Sequence, residues 1–231
     1  MEPVGNMKST RGSIDSRLLT VILGVAVLLA ASVFLTSFTN SIKLPDNQQG
    51  YETVQPIAYS HRLHAGELGI ACLHCHHGAE RSKAAGIPSV NVCMNCHKFV
   101  TAPWVNVKAE DELAAKEKRK PRQVVSAELK KLYEGIGLNA EMKLDPAKPA
   151  SSPQWAKVHN LPSFVYFNHS VHVGAGVACQ TCHGTVETME RVRQVSDLSM
   201  GWCVNCHRDA NNNGVNGRTV YASTDCVVCH H

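Results

Sequence analysis

Cysteine and histidine recur in this chain in one fixed pentapeptide, Cys-X-X-Cys-His. Two cysteines three positions apart can each form a thioether with a haem vinyl group, and the histidine that follows can then bind the iron. The pattern occurs five times and contains all ten cysteines. Its residues are Cys72, Cys75 and His76; Cys93, Cys96 and His97; Cys179, Cys182 and His183; Cys203, Cys206 and His207; and Cys226, Cys229 and His230. The sequence therefore predicts five covalently attached haem c groups.

Disulfides and zinc are the alternative explanations for these cysteines. An even number of cysteines in an exported protein often indicates disulfides, and paired Cys-X-X-Cys can indicate structural zinc or a thiol redox site. Neither alternative requires a histidine directly after every cysteine pair. Haem attachment explains the cysteines and the histidines together and is favoured.

A second set of histidines lies in front of the motifs. A haem iron held by one histidine has a sixth position, and the group that occupies it determines what the centre can do. An aromatic-X-His-X-X-His stretch with His61 and His64 precedes the first motif, and a matching stretch with His169 and His172 precedes the third. Each stretch is followed by two Cys-X-X-Cys-His motifs, so the chain contains an internal duplication. These four histidines are predicted sixth ligands.

The fifth motif ends the chain and has no histidine pair of its own. We expect His159, just before the second module, to supply the sixth ligand of the haem bound by His230. His77 is the next choice, and a methionine would give a centre of higher reduction potential. The remaining alternatives are His231, Met189 and Met200, whereas His74 lies inside a motif and is expected to have no role in metal binding.

Length and charge limit what the chain can be. Five haems in residues 41–231 leave about 38 residues for each, too few for a conventional hydrophobic core around every macrocycle. The predicted fold is therefore mostly irregular, with short α-helices. The formal charge of +4 would be offset by about ten haem propionates, so the basic balance does not indicate a nucleic-acid partner.

The N-terminal region predicts one membrane anchor. Residues 1–17 are polar and basic, and the 21 residues that follow, 18–38, carry no charge. As a helix they would be about 31 Å long, enough to cross the hydrocarbon layer. A cleaved signal peptide is the alternative, but its apolar core is usually shorter. With the basic residues on the cytoplasmic side, the haem-bearing part lies on the periplasmic side of the cell membrane.

The rest of the chain divides by composition. We predict a cytoplasmic N-terminus 1–17, an anchor 18–42, a tether 43–57, a dihaem module 58–100, a charged insertion and linker 101–160, a second dihaem module 161–210 and a terminal haem site 211–231. Within the insertion, 109–120 has an acidic start and a basic end, which favours a helix. Ser126 is predicted to cap a second helix with Leu129, Leu132, Tyr133 and Ile136 on its apolar face.

The duplicated stretch resembles the class III multihaem cytochromes, in which aromatic-X-His-X-X-His precedes Cys-X-X-Cys-His. The resemblance implies one additional histidine for each of four haems. The implied pairs are His61 with His76, His64 with His97, His169 with His183, and His172 with His207. It leaves the haem of His230 without an assigned partner.

A larger part of the chain resembles the pentahaem cytochrome subunit of alternative complex III. The features that carry this resemblance are the anchor, the two modules, the segments 155–172 and 199–203, and the terminal motif. It implies a respiratory or photosynthetic complex that oxidises membrane quinol and passes electrons to a periplasmic acceptor. It also implies an iron-sulfur subunit, polytopic quinol-binding subunits and a monohaem cytochrome c as partners.

Electron transfer without catalysis is the predicted function. No motif for a catalytic acid, base or nucleophile stands out, and six-coordinate, low-spin haems would exclude small molecules. A nitrite reductase-like enzyme is disfavoured because it requires an open iron. Two alternatives stay open: a stand-alone multihaem quinol dehydrogenase, and the cytochrome subunit of a complex that reduces quinone.

Overall fold

A computed structural model describes residues 16–41, 47–139 and 142–230, with side chains described for 16–36 of the first range. The chain divides into two compact units, Met1–Pro45 and Asp46–His231. Each unit is described by itself.

The first unit contains one long helix, α1, Ser16–Ser41. Its apolar side chains between Leu18 and Leu35 are exposed on every side of the helix. The part Ser16–Thr36 has 21 residues and is apolar enough to cross a membrane. A helix that is apolar all round suits a lipid environment. An anchor and a signal sequence near the N-terminus share these properties.

The second unit is built from short helices joined by irregular segments. Its α-helices are α2 Cys72–Cys75, α3 Val90–His97, α4 Trp104–Lys116, α5 Ala127–Gly135, α6 His169–Gly174, α7 Cys179–His183, α8 Met200–Asn213 and α9 Cys226–Cys229. A π-helical turn, Arg62–Glu67, and two 3₁₀ turns, His77–Glu80 and Val186–Thr188, complete the helical elements of the described residues. No strand occurs in the described ranges, where β-pairing is limited to isolated bridges. The predicted fold class, mostly irregular with short helices, is confirmed.

The two cysteines of every Cys-X-X-Cys-His motif lie on one of these helices: α2, α3, α7, α8 or α9. The residue before each helix has an extended backbone, so the chain changes from extended to helical at the first residue of each helix. Residues three apart on a helix lie on the same face. One helical turn therefore points both thiols of a motif in the same direction, as attachment to one macrocycle requires.

The charged insertion contains the two predicted helices with different bounds. Helix α4 starts directly after Pro103, whereas the charge pattern predicted a start at 109. Its end precedes Lys118, which has a positive φ of 53° and so interrupts the helix. Helix α5 has the predicted cap, because the Ser126 hydroxyl accepts a hydrogen bond from the Leu129 amide. Leu132 and Tyr133 are the buried residues of this helix.

The segments 58–100 and 161–210, the first and the second module, pack against each other. The π-helical turn of the first packs on the 3₁₀ turn Val186–Thr188 of the second, and α6 of the second packs on the 3₁₀ turn His77–Glu80 of the first. The approach is close, since a Cβ on Gly66 would lie 2.3 Å from the Glu187 carbonyl oxygen. The histidine stretch of each segment thus rests on the turn that follows the first motif of the other.

The apolar core of the second unit is small. Among the described residues, the buried apolar side chains are Ala79, Ala102, Ala114, Leu132, Tyr133 and Val158. Gln194 is completely buried, and its side chain hydrogen-bonds the Asn160 amide and the Ser196 carbonyl. Apolar burial by the polypeptide alone stabilises a domain by roughly 25 cal/mol per Å². The second unit obtains little of this stabilisation from its own side chains.

Candidate haem-binding sites

Four motif histidines each face a second imidazole. The centres of the paired rings are 6.0–6.5 Å apart. The pairs are His61 with His76 at 6.5 Å, His64 with His97 at 6.1 Å, His169 with His183 at 6.3 Å, and His172 with His207 at 6.0 Å. They are the four pairs that the class III resemblance implies.

The separation has a simple chemical meaning. A histidine nitrogen binds a first-row metal at about 2.0 Å and lies about 1.2 Å from its ring centre, so two rings facing each other across one iron have centres about 6.4 Å apart. The rings of His61 and His76 are within 6° of parallel, and those of His169 and His183 within 10°. The spacing and the donor type both fit a haem iron between the two rings of each pair.

Burial keeps key imidazoles in the neutral form that binds metal. Burial, followed by the neighbouring His76 and His64, lowers the pKa of His61 to about 4. Burial and three surrounding histidines likewise lower the pKa of His183 to about 4. Both rings are therefore unprotonated at pH 7 and have a nitrogen lone pair for iron.

The aromatic residue of each stretch positions both of its histidines. Tyr59 stacks on His64 with ring centres 4.4 Å apart and meets His61 edge-on at 4.8 Å. In the second stretch the same residues are Phe167, His172 and His169, with distances of 4.5 and 4.8 Å. The duplication therefore extends to the geometry, and an aromatic ring fixes the orientation of two ligand candidates at once.

The other ring nitrogen of most paired histidines lies against a backbone carbonyl. Such a contact holds the hydrogen on Nδ1 and leaves Nε2 free to bind a metal. The contacts from Nδ1 are His64 to Ser60 O, His76 to Gly86 O, His97 to Val100 O, His169 to Lys83 O, His172 to Asn168 O and His207 to Ser223 O. Their lengths run from 2.5 to 2.9 Å.

Two paired histidines depart from this pattern. Nδ1 of His61 is buried and has no hydrogen-bond partner among the described residues. Nδ1 of His183 lies 3.1 Å from Nε2 of His159, with ring centres 4.3 Å apart. The prediction that His159 supplies the sixth ligand of the haem of His230 does not match this placement, because Nε2 of His159 contacts Nδ1 of His183.

The fifth motif is held in a different way. The Tyr166 amide donates to the Cys229 carbonyl oxygen at 2.8 Å. The ring of His230 stacks on Phe164 at 5.8 Å, and its Nδ1 lies 3.4 Å from the Phe164 carbonyl oxygen. The segment just before the second histidine stretch thus supports this motif, and the structure pairs no second imidazole with His230 among the described residues.

The other sequence-based candidates for this position lie elsewhere or outside the described residues. His77 begins the 3₁₀ turn that packs on α6. Met189 uses its carbonyl oxygen to accept from the Arg62 amide, and Met200 is an exposed first residue of α8. His74 is exposed on α2. His231 lies outside the described residues.

The second module has glycine where the first has His77, and the structure gives the reason. Gly184 has a φ of +70° and lies so close to Val195 that a Cβ would come within 2.7 Å of its side chain. Only glycine adopts that backbone without strain. A histidine at this position is therefore excluded by local packing.

Shared contacts show which motifs adjoin. The ring of Tyr59 meets His61 and His64, which face the histidines of the first and second motifs. Segment 82–86 contacts His76 of the first motif and His169, which faces the third. Phe167 meets His169 and His172, which face the third and fourth motifs. Nδ1 of His207 in the fourth motif lies 2.5 Å from the Ser223 carbonyl oxygen, just before the fifth motif. The motifs therefore adjoin in the order second, first, third, fourth, fifth. None of the ten cysteines forms a disulfide.

Two parts of the chain match known families. Residues 38–124 match the class III cytochrome C family, and residues 165–231 match the family of cytochrome c7 and related cytochrome c. Together with the fold and the paired histidines, these matches support a multihaem cytochrome c of the class III type, and the matched families imply covalently bound haem c. The class III resemblance of the sequence is confirmed.

A curated relative matches a larger part of the chain. It is the menaquinone reductase, multihaem cytochrome c subunit, of Nitratidesulfovibrio vulgaris strain Hildenborough. The two proteins are 23% identical, with 76% of this chain and 76% of the relative covered.

Sequence analysis missed the groups that orient the ligands. Backbone carbonyls such as Lys83 O and Gly86 O depend on how two distant segments meet, so no residue type indicates them. The stacking role of Tyr59 and Phe167 was present in the sequence as the aromatic position of the repeat. The contact between His159 and His183 had no sequence signal beyond the histidine itself.

Proposed function

We propose that this chain is the membrane-anchored pentahaem cytochrome subunit of a complex that exchanges electrons with the membrane quinone pool. It acts as an electron-transfer subunit and has no catalytic residues of its own. The observation that carries the proposal is the set of four histidine pairs at iron-bridging distance, each beside a Cys-X-X-Cys-His motif.

The cysteines of the five motifs attach the haems, and their histidines hold the irons. The proposed cofactor-binding residues are Cys72, Cys75, Cys93, Cys96, Cys179, Cys182, Cys203, Cys206, Cys226 and Cys229. The proposed iron ligands are His76, His97, His183, His207 and His230, with His61, His64, His169 and His172 on the opposite sides of the first four. Bound haem supplies reversible one-electron transfer at iron.

The paired histidines explain why the function is transfer and not catalysis. An imidazole on each side of an iron leaves no position for a substrate. The rigid setting of each ring, by an aromatic stack and an Nδ1 contact, keeps the ligands in place when the charge of the iron changes. The protein thereby holds one geometry in both oxidation states, which is what rapid electron transfer requires.

The order in which the motifs adjoin gives the subunit two ends. The motif of His97 shares the contacts of Tyr59 with the first motif, and the motif of His230 follows the segment that contacts His207. Partners that donate and accept electrons would meet the subunit at these two motifs.

The anchor places the subunit beside the quinone pool. We propose that α1 is retained as a single membrane span, with the N-terminus in the cytoplasm and the second unit on the periplasmic side. The proposed partners are those of alternative complex III: an iron-sulfur subunit, polytopic quinol-binding subunits and a monohaem cytochrome c. In that setting the complex oxidises quinol and passes electrons to a periplasmic acceptor.

In a second candidate function, electrons flow in the opposite direction, from the complex to quinone. The curated relative is a subunit of a menaquinone reductase, which favours a complex that reduces quinone. Both candidates use the same subunit and differ in its neighbours. The haems of a quinone-reducing complex would have lower reduction potentials than those that feed a high-potential periplasmic acceptor.

The subunit itself is tested by its haem content and spin state. The full chain purified in detergent should contain five covalent haems by the pyridine haemochrome assay. Electron paramagnetic resonance of the oxidised protein should show low-spin signals from at least four haems per chain. Four haems or fewer, or a high-spin signal from more than one fifth of the haem, contradicts the proposal.

The complex is tested by the polypeptides that copurify. A complex with polytopic subunits should oxidise a quinol and reduce a cytochrome acceptor if the first candidate is right. Quinone reduction by a low-potential donor, without quinol oxidation, would establish the second. Quinol oxidation by the isolated chain would instead indicate a stand-alone quinol dehydrogenase and contradict both.

A further inference from the structure

His183 is the motif histidine whose Nδ1 meets a side chain in the structure. The other motif histidines have a backbone carbonyl at this nitrogen, at 2.5 to 3.4 Å. At His183 the partner is Nε2 of His159, 3.1 Å away. The two rings are inclined by 75° with their centres 4.3 Å apart, so they meet in a T-shaped arrangement.

The segment that carries His159 is fixed on both sides. The side chain of Gln55 makes two hydrogen bonds to Ala156, one to its amide at 2.8 Å and one to its carbonyl at 2.9 Å. The fully buried Gln194 accepts from the Asn160 amide at 3.1 Å. Val158 between them is buried. The half-buried Gln55 amide and the buried Gln194 amide therefore hold the backbone on the two sides of His159.

The contact also determines which nitrogen of each ring carries a hydrogen. A neutral imidazole has one nitrogen that donates and one that accepts, and Nδ1 of His183 lies at hydrogen-bond distance from Nε2 of His159. With Nε2 of His159 accepting, the hydrogen of His183 lies on Nδ1. Nε2 of His183 is then the nitrogen left for iron, opposite His169.

We propose that His159 is a positioning residue for His183. Nε2 of His159 accepts the hydrogen on Nδ1 of His183, and this contact sets the orientation of the His183 ring and the reduction potential of the haem at the third motif. The proposal rests on the function proposed above, in which His183 and His169 hold that iron. A group that accepts from the Nδ1 hydrogen increases the electron density that an imidazole gives to its metal. Greater donation favours the oxidised iron and lowers the reduction potential.

The position of the third motif gives this contact its importance. Segment 82–86 contacts both His76 of the first motif and His169, which faces His183, so the third motif adjoins the first and joins the two modules. In the first module the carbonyl of Gly86 performs the same task for His76. An imidazole and a carbonyl differ as hydrogen-bond acceptors. We therefore expect the haems of His76 and His183, which hold equivalent positions in the two modules, to differ in reduction potential.

Two variants of nearly equal polarity test the proposal in the full holoprotein. His159→Gln has an amide that reaches the place of Nε2 and keeps an acceptor there. His159→Asn is too short to reach Nδ1 of His183. We expect His159→Asn to retain five haems and the low-spin signals of the unmodified protein, while one fifth of the haem titrates at a higher reduction potential. His159→Gln should return that fraction toward its original value.

The remaining outcomes each overturn the proposal. Unchanged potentials in both variants would show that the contact sets nothing. A new high-spin signal in either variant would make His159 a direct iron ligand. Loss of a haem from both variants would indicate a purely structural residue. Failure of the proposed function would be visible separately, as a low haem count in the unmodified protein.

Discussion

The carbonyl oxygen of Lys83 lies 2.8 Å from Nδ1 of His169. Lys83 belongs to the first module and His169 to the second, so one module orients a ligand candidate of the other. Three residues further on, the Gly86 carbonyl oxygen lies 2.7 Å from Nδ1 of His76. A single backbone segment, 82–86, therefore supports the haem sites of both modules.

Displacing this segment is expected to change two haems at once. In Gly78→Ala the new Cβ would lie 2.6 Å from the Ala85 carbonyl oxygen, so the segment must move. We expect the haems held by His76 and His183 to shift in reduction potential together, because His76 and His169 lose their carbonyl contacts. Redox titration followed by optical absorption measures the two fractions.

Gly174→Ala is the matched control for that variant. Gly174 ends α6, and a Cβ there would meet nothing within 4 Å. It should leave all five potentials unchanged. A shift of only one haem in Gly78→Ala would show that segment 82–86 does not couple the two sites.

Removing one sixth ligand should convert one haem to the high-spin state. In His64→Ala the iron held by His97 loses the ring that faces it at 6.1 Å. Electron paramagnetic resonance should then show high-spin iron from about one fifth of the haem. His74→Ala, at an exposed position on the helix of the first motif, should leave the spectrum unchanged. High-spin iron in the His74 variant alone would reverse the assignment.

The insertion is tied to the second motif through one hydroxyl. Buried Tyr133 donates from its Oη to the His97 carbonyl oxygen at 2.5 Å. Tyr133→Phe leaves that carbonyl without its donor, which costs about 1 kcal/mol of stability. Thermal unfolding measures this loss, with the exposed Tyr221→Phe as control. An equal effect of both variants would show that the hydroxyl contact contributes nothing.

Acid should loosen the start of the insertion. Hydrogen bonds from the Arg119 guanidinium and the Arg122 amide hold the pKa of Glu110 at about 2, below its ordinary 4.5. Because this pKa is depressed in the folded state, the stabilisation is present above about pH 4.5 and is lost as the pH falls toward 2. Hydrogen exchange of α4, corrected for intrinsic rates, should show less protection over that window.

Glu110→Gln tests the cause of this pH dependence. The variant cannot ionise at position 110, so the protection of α4 should be lower at neutral pH and nearly constant between pH 5 and 2.5. If the variant keeps the pH dependence of the original protein, the titrating group lies elsewhere.

The sequence predicted the parts of the site that depend on residue type and spacing. The fold class and the cap at Ser126 follow from local patterns, which short-range forces determine. The class III family follows from the order of histidines and cysteines. The start of α4 was missed because Pro103 initiates a helix before the charged residues that the helix dipole favours.

Contacts between segments that are distant in the sequence could not be predicted from local patterns. His159 lies before the second module in the sequence, yet it is placed by Gln55 and Gln194, which come from either side of it in the chain. Its partner depends on the path of the whole second unit. The same is true of the Lys83 carbonyl, since a backbone oxygen has the same chemistry at every residue.

The interlocked turns also delay the last step of folding. The Arg62 amide bonds the Met189 carbonyl oxygen, which is made much later in synthesis. Until residue 189 has been made, this contact cannot form. The first module therefore completes its packing only after most of the second has been synthesised.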